Sequence, residues 1–177
     1  MRIICALFFH FAVTDGMVWD SQCGSMSEAF LFGEFCYQFN DSRTTWEDAR
    51  SRCQRDGGDL LSIASAKEAF YIDIHLNSGT FQDLWIGAND LRNEGVWEWS
   101  NGDQFVYSNW NSGEPNNENG EDCGAVTARI EYMWNDIPCN HRNGYICKKK
   151  RKFYFLLFQE NKCLNFNISF KGFIVHN

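Results

Sequence analysis

Hydrophobic positions keep one period at a time along this chain, and the period changes as the chain proceeds. Residues 3–13 are an apolar run interrupted only by His10 and preceded by Arg2. Such a run is too short to span a bilayer as a helix. With Thr14-Asp15-Gly16 as a small-residue cleavage site, it predicts a secretory leader over residues 1–16. Residues 35–39 alternate as a strand. Thr44 and Glu47 form a capping box, and Trp46, Ala49 and Cys53 then recur at the spacing of one helix face until Asp56-Gly57-Gly58. Leu60-Leu61-Ser62-Ile63 predicts a short strand. A second capping box, Ser65 with Glu68, opens a helix with Ala69, Ile72 and Leu76 inward, stopped by Asn77-Ser78-Gly79.

Beyond this point the helical period is lost. Residues 84–88 are a compact apolar run, and residues 96–100 alternate before an Asn101-Gly102 turn. Residues 123–128, 132–134 and 144–147 predict three more strands. The order is a strand, two helices, then strands separated by long polar loops, which is an α+β pattern. Loops of that length inside a compact domain are usually functional.

Composition sharpens this reading. A chain of 177 residues with 44% hydrophobic residues and 7 Trp can bury a proper core in one domain. Eight Cys without paired CxxC motifs point to disulfides in an oxidising compartment, so the chain is expected to be extracellular. The net charge of −7 is uneven. Between Cys23 and Cys147 there are 20 acidic and 8 basic residues, or −12; from Lys148 onward there are 7 basic and 1 acidic, or +6. A domain that acidic excludes nucleic acid as a partner, because a phosphate backbone would repel it.

The candidate chemistry lies between Glu114 and Cys123, in the sequence Glu-Pro-Asn-Asn-Glu-Asn-Gly-Glu-Asp-Cys. Acidic, Asn-rich loops are ordinarily just solvated. Here a Pro stands between two oxygen donors, Trp134-Asn135-Asp136 adds a second oxygen pair, and Cys123 and Cys139 flank the segments. Hard oxygen donors on a flexible loop suit Ca²⁺. An EF-hand is excluded: placing Gly120 at its required sixth position puts Pro115 in the first ligand slot. Zinc is excluded because His10, His75, His141 and His176 have no ligand spacing, which leaves His75 a packing or surface residue. No nucleophile motif is present. Carboxylates that ligate calcium stay ionised and cannot serve as the general acid of a glycosidase, so no enzyme is expected.

With these residues in view, the chain resembles a C-type lectin domain from about Cys23 to Cys147. The marks are the two helices ahead of the strands, Trp85-Ile86-Gly87, Trp97-Glu98-Trp99, Glu114-Pro115-Asn116, Glu121-Asp122-Cys123, Trp134-Asn135-Asp136 and the cysteine framework. The resemblance implies disulfides Cys53–Cys147 and Cys123–Cys139, with Cys23–Cys36 as an additional bridge. It implies a calcium ion held by Glu114, Asn116, Glu121, Asn135 and Asp136, with Pro115 cis. It also implies a second, structural calcium on Asp90, Glu94, Asn117 and Asp122. The Glu-Pro-Asn order resembles members that select equatorial 3- and 4-hydroxyls, as in mannose, fucose, N-acetylglucosamine and glucose. Gln-Pro-Asp goes with galactose. The sequence departs from the pattern at Ala88, where the family usually has Leu, at Asn117, where many relatives have Asp, and in a long Cys23–Cys36 segment without its usual Pro and Trp.

The expected organisation is therefore a leader over 1–16, a carbohydrate-recognition domain over 23–148 and a basic, aromatic extension over 149–177. The expected function is that of a secreted calcium-dependent lectin of mannose-type specificity, engaging glycans on cell or microbial surfaces as a possible oligomer and without a transmembrane span. The alternative is a lectin-like domain that binds a protein or other non-sugar ligand, with calcium only structural. The tail reads as a largely disordered extension: Lys148 to Lys152 is basic, 153–158 is aromatic, and Cys163 has no partner once the three implied bridges are made. Asn40-Asp41-Ser42 and Asn167-Ile168-Ser169 are glycosylation sequons.

Overall fold

The computed structural model describes residues 13–14, 17–23, 26, 29–78, 82–127, 133–159 and 162–167. The leader expected over 1–16 lies outside them apart from Val13–Thr14, as does the end of the second sequon. Two compact units are present: residues 25–150, and a second built from 1–24 with 151–177.

The larger unit carries both helices and an eight-stranded sheet. Its strands are β3 (Phe30–Phe32), β4 (Phe35–Thr44), β5 (Asp59–Leu60), β6 (Leu84–Asn89), β7 (Glu98–Trp99), β8 (Cys123–Thr127), β9 (Met133–Ile137) and β10 (Asn143–Lys150). The order is β3-β4-β10-β6-β8-β9, with β5 on β10 and β7 on β6. β6 and β10 run parallel at Gly144↔Leu84 and Tyr145↔Trp85, and the other ladders are antiparallel. β6 is buried at every position, as the apolar run of residues 84–88 requires of a central strand.

Helix α1 (Trp46–Arg55) buries the expected stripe of Trp46, Ala49 and Cys53. Its cap lies one residue later than expected. Thr45, not Thr44, is the N-cap, and its hydroxyl accepts from Asp48 N–H. Thr44 is held as the last residue of β4, where its carbonyl accepts from the Trp85 indole at 2.8 Å. In α2 (Ala66–Ser78) Ser65 caps Glu68 N–H at 3.2 Å as expected, but Glu68 Oε2 accepts from Ala64 N–H at 2.9 Å instead of closing the box on Ser65. Its inward residues Ala69, Ile72 and Leu76 join Tyr37, Leu61, Ile63, Leu84, Ile86, Trp99, Val126, Trp134 and Ile146 in the core. His75 packs against Phe30, Phe39 and Tyr71, in keeping with a packing histidine.

Gly87, of the Trp-Ile-Gly signature, sits where three segments cross. Its N–H donates to Leu61 O and its carbonyl accepts from Ser100 N–H, both at 2.8 Å. An added Cβ would meet Ser100 Oγ at 2.7 Å and crowd Leu61 O at 3.2 Å, so a side chain there would have to shift one or the other.

The disulfides Cys53–Cys147 and Cys123–Cys139 form as the resemblance implies. Cys23 and Cys36 are also both disulfide-bonded.

The reading of the tail needs two corrections. Lys148 and Lys149, counted with the basic run that opens the tail, are buried in β10 and belong to the larger unit. Lys148 Nζ bonds Glu68 Oε1 at 2.6 Å on α2 and Ser62 O at 2.8 Å in the segment that precedes it. The described residues of the tail, 149–159 and 162–167, are not without regular structure. In the second unit β11 (Lys152–Gln159) pairs with β12 (Lys162–Asn167) and with β2 (Met17–Gln22), and β1 (Val13–Thr14) pairs with β2. The run of aromatic and branched residues in 153–158 is strand-forming, and β2 gives it the partner that the local sequence did not reveal.

Candidate functional site

The long loop from Ser100 to Asp122 has almost no regular structure and is held by its aromatic side chains. Trp134 on β9 is buried, and Trp99, Phe105, Tyr107 and Trp110 contact it edge-on at centroid distances from 5.5 to 6.3 Å. Trp97 packs on Trp110 at 4.5 Å. Edge-to-face pairs contribute about 0.5–1.5 kcal/mol each beyond their buried area. The backbone is fastened at the same place: Trp134 N–H donates to Asn109 O at 2.8 Å, and Asn111 N–H donates to Trp134 O at 2.9 Å. This cluster stands under the acidic segment as a floor.

On that floor the chain turns at the cis Glu114–Pro115 peptide. Asn117 and Asn119 adopt left-handed backbone with φ of 50° and 66°, and Gly120 follows at 82°. Asn and Gly tolerate that region best, so Asn-Asn-Glu-Asn-Gly is a sequence suited to this coil. The turn is clamped from below by Asp136, whose side chain is fully buried. Asp136 Oδ1 accepts from Asn116 N–H at 3.1 Å and Oδ2 from Asn117 N–H at 2.7 Å. Asn116 Nδ2 donates to Glu114 Oε2 at 2.6 Å, and its Oδ1 accepts from Glu118 N–H at 2.7 Å. Glu121 Oε2 accepts from Glu118 N–H at 3.2 Å, while Glu121 N–H donates to Asn117 Oδ1 at 2.8 Å. Thus Glu114, Asn116, Glu121 and Asp136 belong to one linked set. Asn135 is beside Asp136 on β9, and its Oδ1 is buried with no hydrogen-bond partner.

The electrostatics are those of crowded anions. Desolvation raises the Glu114 carboxyl above its ordinary value, helped by a hydrogen bond to Asp136 and repulsion from Asp136 and Glu121; the Asn116 amide offsets this only partly. Glu121 is raised by desolvation and then by Asp136.

The four residues assigned to the second calcium also converge. Glu94 is raised by desolvation and by repulsion from Asp90 and Asp122, which the Asn117 amide offsets only partly. Asp90 N–H donates to Asp122 O at 3.2 Å, and Asp90 Oδ2 accepts from Gly95 N–H at 2.8 Å. Asp90 Oδ1 is buried and unpartnered.

These observations test whether the residues suit calcium. Among the described residues, no three His, Cys, Asp or Glu are drawn together tightly enough to hold an ion by themselves. The donor sets instead mix carboxylates with carboxamides, as calcium accepts. Each set contains one buried oxygen without a donor, which costs about 1–3 kcal/mol if nothing satisfies it. Glu114 is raised by its neighbour Asp136 and Glu94 by Asp90, a repulsion that a cation between the carboxylates would relieve. The residues fit the ion. Sequence reasoning did not find the clamp of Asp136 on two backbone N–H groups, nor the aromatic floor. The density of rings between Trp97 and Trp110 was the available signal for the floor.

A model of the lectin C-type domain matches residues 42–149. The chain belongs to the C-type lectin domain family. It is 43% identical over 116 residues to a perlucin-like protein of Mytilus galloprovincialis, covering 63% of this chain and 74% of that protein. It is 40% identical over 131 residues to human C-type mannose receptor 2, covering 73% of this chain but only 9% of the receptor's length. Among solved structures it resembles the mouse scavenger receptor C-type lectin carbohydrate-recognition domain, with 31% identity and TM-score 0.65 over 70% of this chain and 96% of that one. It also resembles a calcium-independent type II antifreeze protein, with 29% identity and TM-score 0.66 over 74% of this chain and 96% of that one. The α+β, C-type lectin-like architecture is thereby established. C-type lectin domains generally bind carbohydrate with calcium and are generally not enzymes. No helix among the described residues is long and apolar enough to cross a membrane.

Proposed function

We propose that this chain is a secreted lectin in which calcium is held by Glu114, Asn116, Glu121, Asn135 and Asp136 and is itself part of the sugar contact. The observation that carries this reading is the linked set around Asp136, with an unsatisfied, buried Asn135 oxygen at its edge. When bound, calcium accepts one lone pair from each of two vicinal hydroxyls. The protein supplies the rest. A hydroxyl has one hydrogen to donate and a second lone pair to fill. Glu114 and Glu121 accept the hydrogens, and the Asn116 and Asn135 amides donate to the lone pairs. A Glu on one side and an Asn on the other favours equatorial 3- and 4-hydroxyls, hence mannose, fucose and N-acetylglucosamine. Asp90, Glu94, Asn117 and Asp122 would hold a second ion that orders the same loop, since Asn117 belongs to both networks.

A single shallow site binds weakly, so cell or microbial glycans would be held by several sites at once. The test is retention of the oxidised protein on mannose-agarose in millimolar calcium, with elution by chelator, together with calorimetry against calcium. Retention that chelator does not reverse, or no heat with calcium, would overturn the proposal.

A second reading has one observation in its favour. The likeness to a calcium-independent type II antifreeze protein is as close as that to a carbohydrate-recognition domain. Under this reading the loop binds a non-sugar surface, and calcium binding without sugar retention would favour it.

A further inference from the structure

β4 and β10 pair regularly from Phe35↔Lys150 to Asn40↔Tyr145, and then the register breaks: Thr44 pairs with Asn143. Three residues of β4, Asp41, Ser42 and Arg43, therefore stand opposite the single Gly144. The extra residues have nowhere to go within the ladder and are pushed outward as a bulge. All three are exposed, and Asn40, at the foot of the bulge, is half-buried. The bulge is fixed from beneath. A Cβ on Gly144 would stand 2.6 Å from Asn40 O, so the glycine admits the close approach of the two strands.

The bulge coincides with the sequon Asn40-Asp41-Ser42. Asn40 Oδ1 accepts from Ser42 N–H at 2.9 Å. That bond folds the side chain back toward the Ser42 backbone and leaves Nδ2 outside it. Beside the sequon lies a polar groove of about 360 Å³ lined by Asp41, Arg43, Gln82, Asp83, Leu84 and Gly144. Arg43 Nη2 donates to Gln82 Oε1 at 2.5 Å within it. Carboxylate, guanidinium and carboxamide groups of this kind pair well with sugar hydroxyls and acetamido groups.

We infer that Asn40 is an N-glycan acceptor, presented by the β4 bulge and with the first sugars of its glycan lying along the Arg43–Gln82 groove. Nδ2 attacks the anomeric carbon of an oligosaccharide carried on a polyisoprenyl diphosphate. The C1–O bond to the diphosphate breaks, the Nδ2–C1 bond forms, Nδ2 loses one proton, and the lipid diphosphate leaves. Oδ1 takes no part, so its bond to Ser42 N–H survives the linkage. The position keeps the glycan clear of the acidic loop. β6 begins at Leu84, beside Gly144 and Asn40, and ends at Asn89, next to Asp90. A strand of 6 residues puts these ends about 17 Å apart.

The inference rests on the secretory routing proposed above, and the experiment separates the two. The full chain is made in cultured eukaryotic cells with its own N-terminus and, in parallel, behind an added leader. Each product is treated with peptide N-glycosidase and mapped by mass spectrometry. With the added leader, enzyme treatment is expected to convert Asn40 to Asp, and Asn40→Gln and Ser42→Ala are each expected to remove that modification. Ser42→Ala leaves Asn40 itself in place, so loss of the mark in both variants is not a folding artefact. An unmodified Asn40 in the chain recovered from the medium behind the added leader overturns the inference. A modified Asn40 there, with the native-terminus product retained in the cytoplasm, supports the acceptor and refutes the routing. Modification at Asn167 alone also overturns the inference.

Discussion

Replacing Lys148 by Met tests whether β10 is anchored as described. Lys148 and Glu68 are both nearly excluded from solvent, with side chains 5% and 8% exposed and a 2.6 Å contact. Removing one partner of such a pair strands the other charge and costs about 3–5 kcal/mol. Glu68 would keep its bonds from Tyr37 O–H at 2.7 Å and Ala64 N–H at 2.9 Å, which places the expected loss near the lower end, about 3 kcal/mol. Lys148→Met with Glu68→Gln removes both charges and should return to within about 1 kcal/mol of the parent. The loss should also be felt at the site. Lys148 Nζ holds Ser62 O, and the Ser62 hydroxyl donates to Asp103 at 2.7 Å and accepts from Asn101 at 3.0 Å, so the pair secures the first residues of the long loop. The assay is urea unfolding with disulfides intact, followed by Trp fluorescence, since every Trp except Trp19 lies in this unit. A single mutant within about 1 kcal/mol of the parent, at unchanged m-value, would refute the argument.

Three further outcomes are expected. Glu114→Gln with Asn116→Asp should move sugar preference from mannose toward galactose in competition elution, with the unfolding midpoint little changed; an unaltered sugar ranking counts against these residues. Retention on mannose should fall as pH drops from neutral toward about 5, because protons compete with calcium for carboxylates. The raised Glu114 and Glu121 carboxyls give the opposite sign without calcium. Their ionised forms are disfavoured in the fold, so stability in chelator should rise as pH falls through their folded values; a midpoint that falls instead contradicts the anion crowding. Cys123→Ser with Cys139→Ser opens a loop of 16 residues and should cost about 3 kcal/mol under the chain-entropy model, read as a lower urea midpoint.

The helices were legible because their apolar spacing and stop signals are local. Trp46, Ala49 and Cys53 could be placed inward from the sequence alone, and they are buried. The cap of α1 was misplaced by one residue because Thr44 and Thr45 offer the same hydroxyl, and what holds Thr44 in β4 is tertiary: its pairing with Asn143 and the bond from the Trp85 indole to its carbonyl. The lysines of β10 were misread for a similar reason. A run of Lys looks solvated until Glu68 and Ser62, brought from α2 and the preceding segment, are set against it. The candidate site residues were legible as chemical types, since oxygen donors are visible in the sequence. Their support was not, because Asp136 reaches across 19 and 20 residues to backbone groups that every sequence possesses.

That last point bears on how such a loop could change its preferences. Asp136 grips amide hydrogens, not the variable groups that follow Cα, at positions 116 and 117. Exchanges along the crest that spare the left-handed positions 117 and 119 can therefore leave the same scaffold hook on the ribbon. Diversity in what is recognised need not be bought with loss of shape, and a small number of substitutions at the rim could redirect the molecule to a different target.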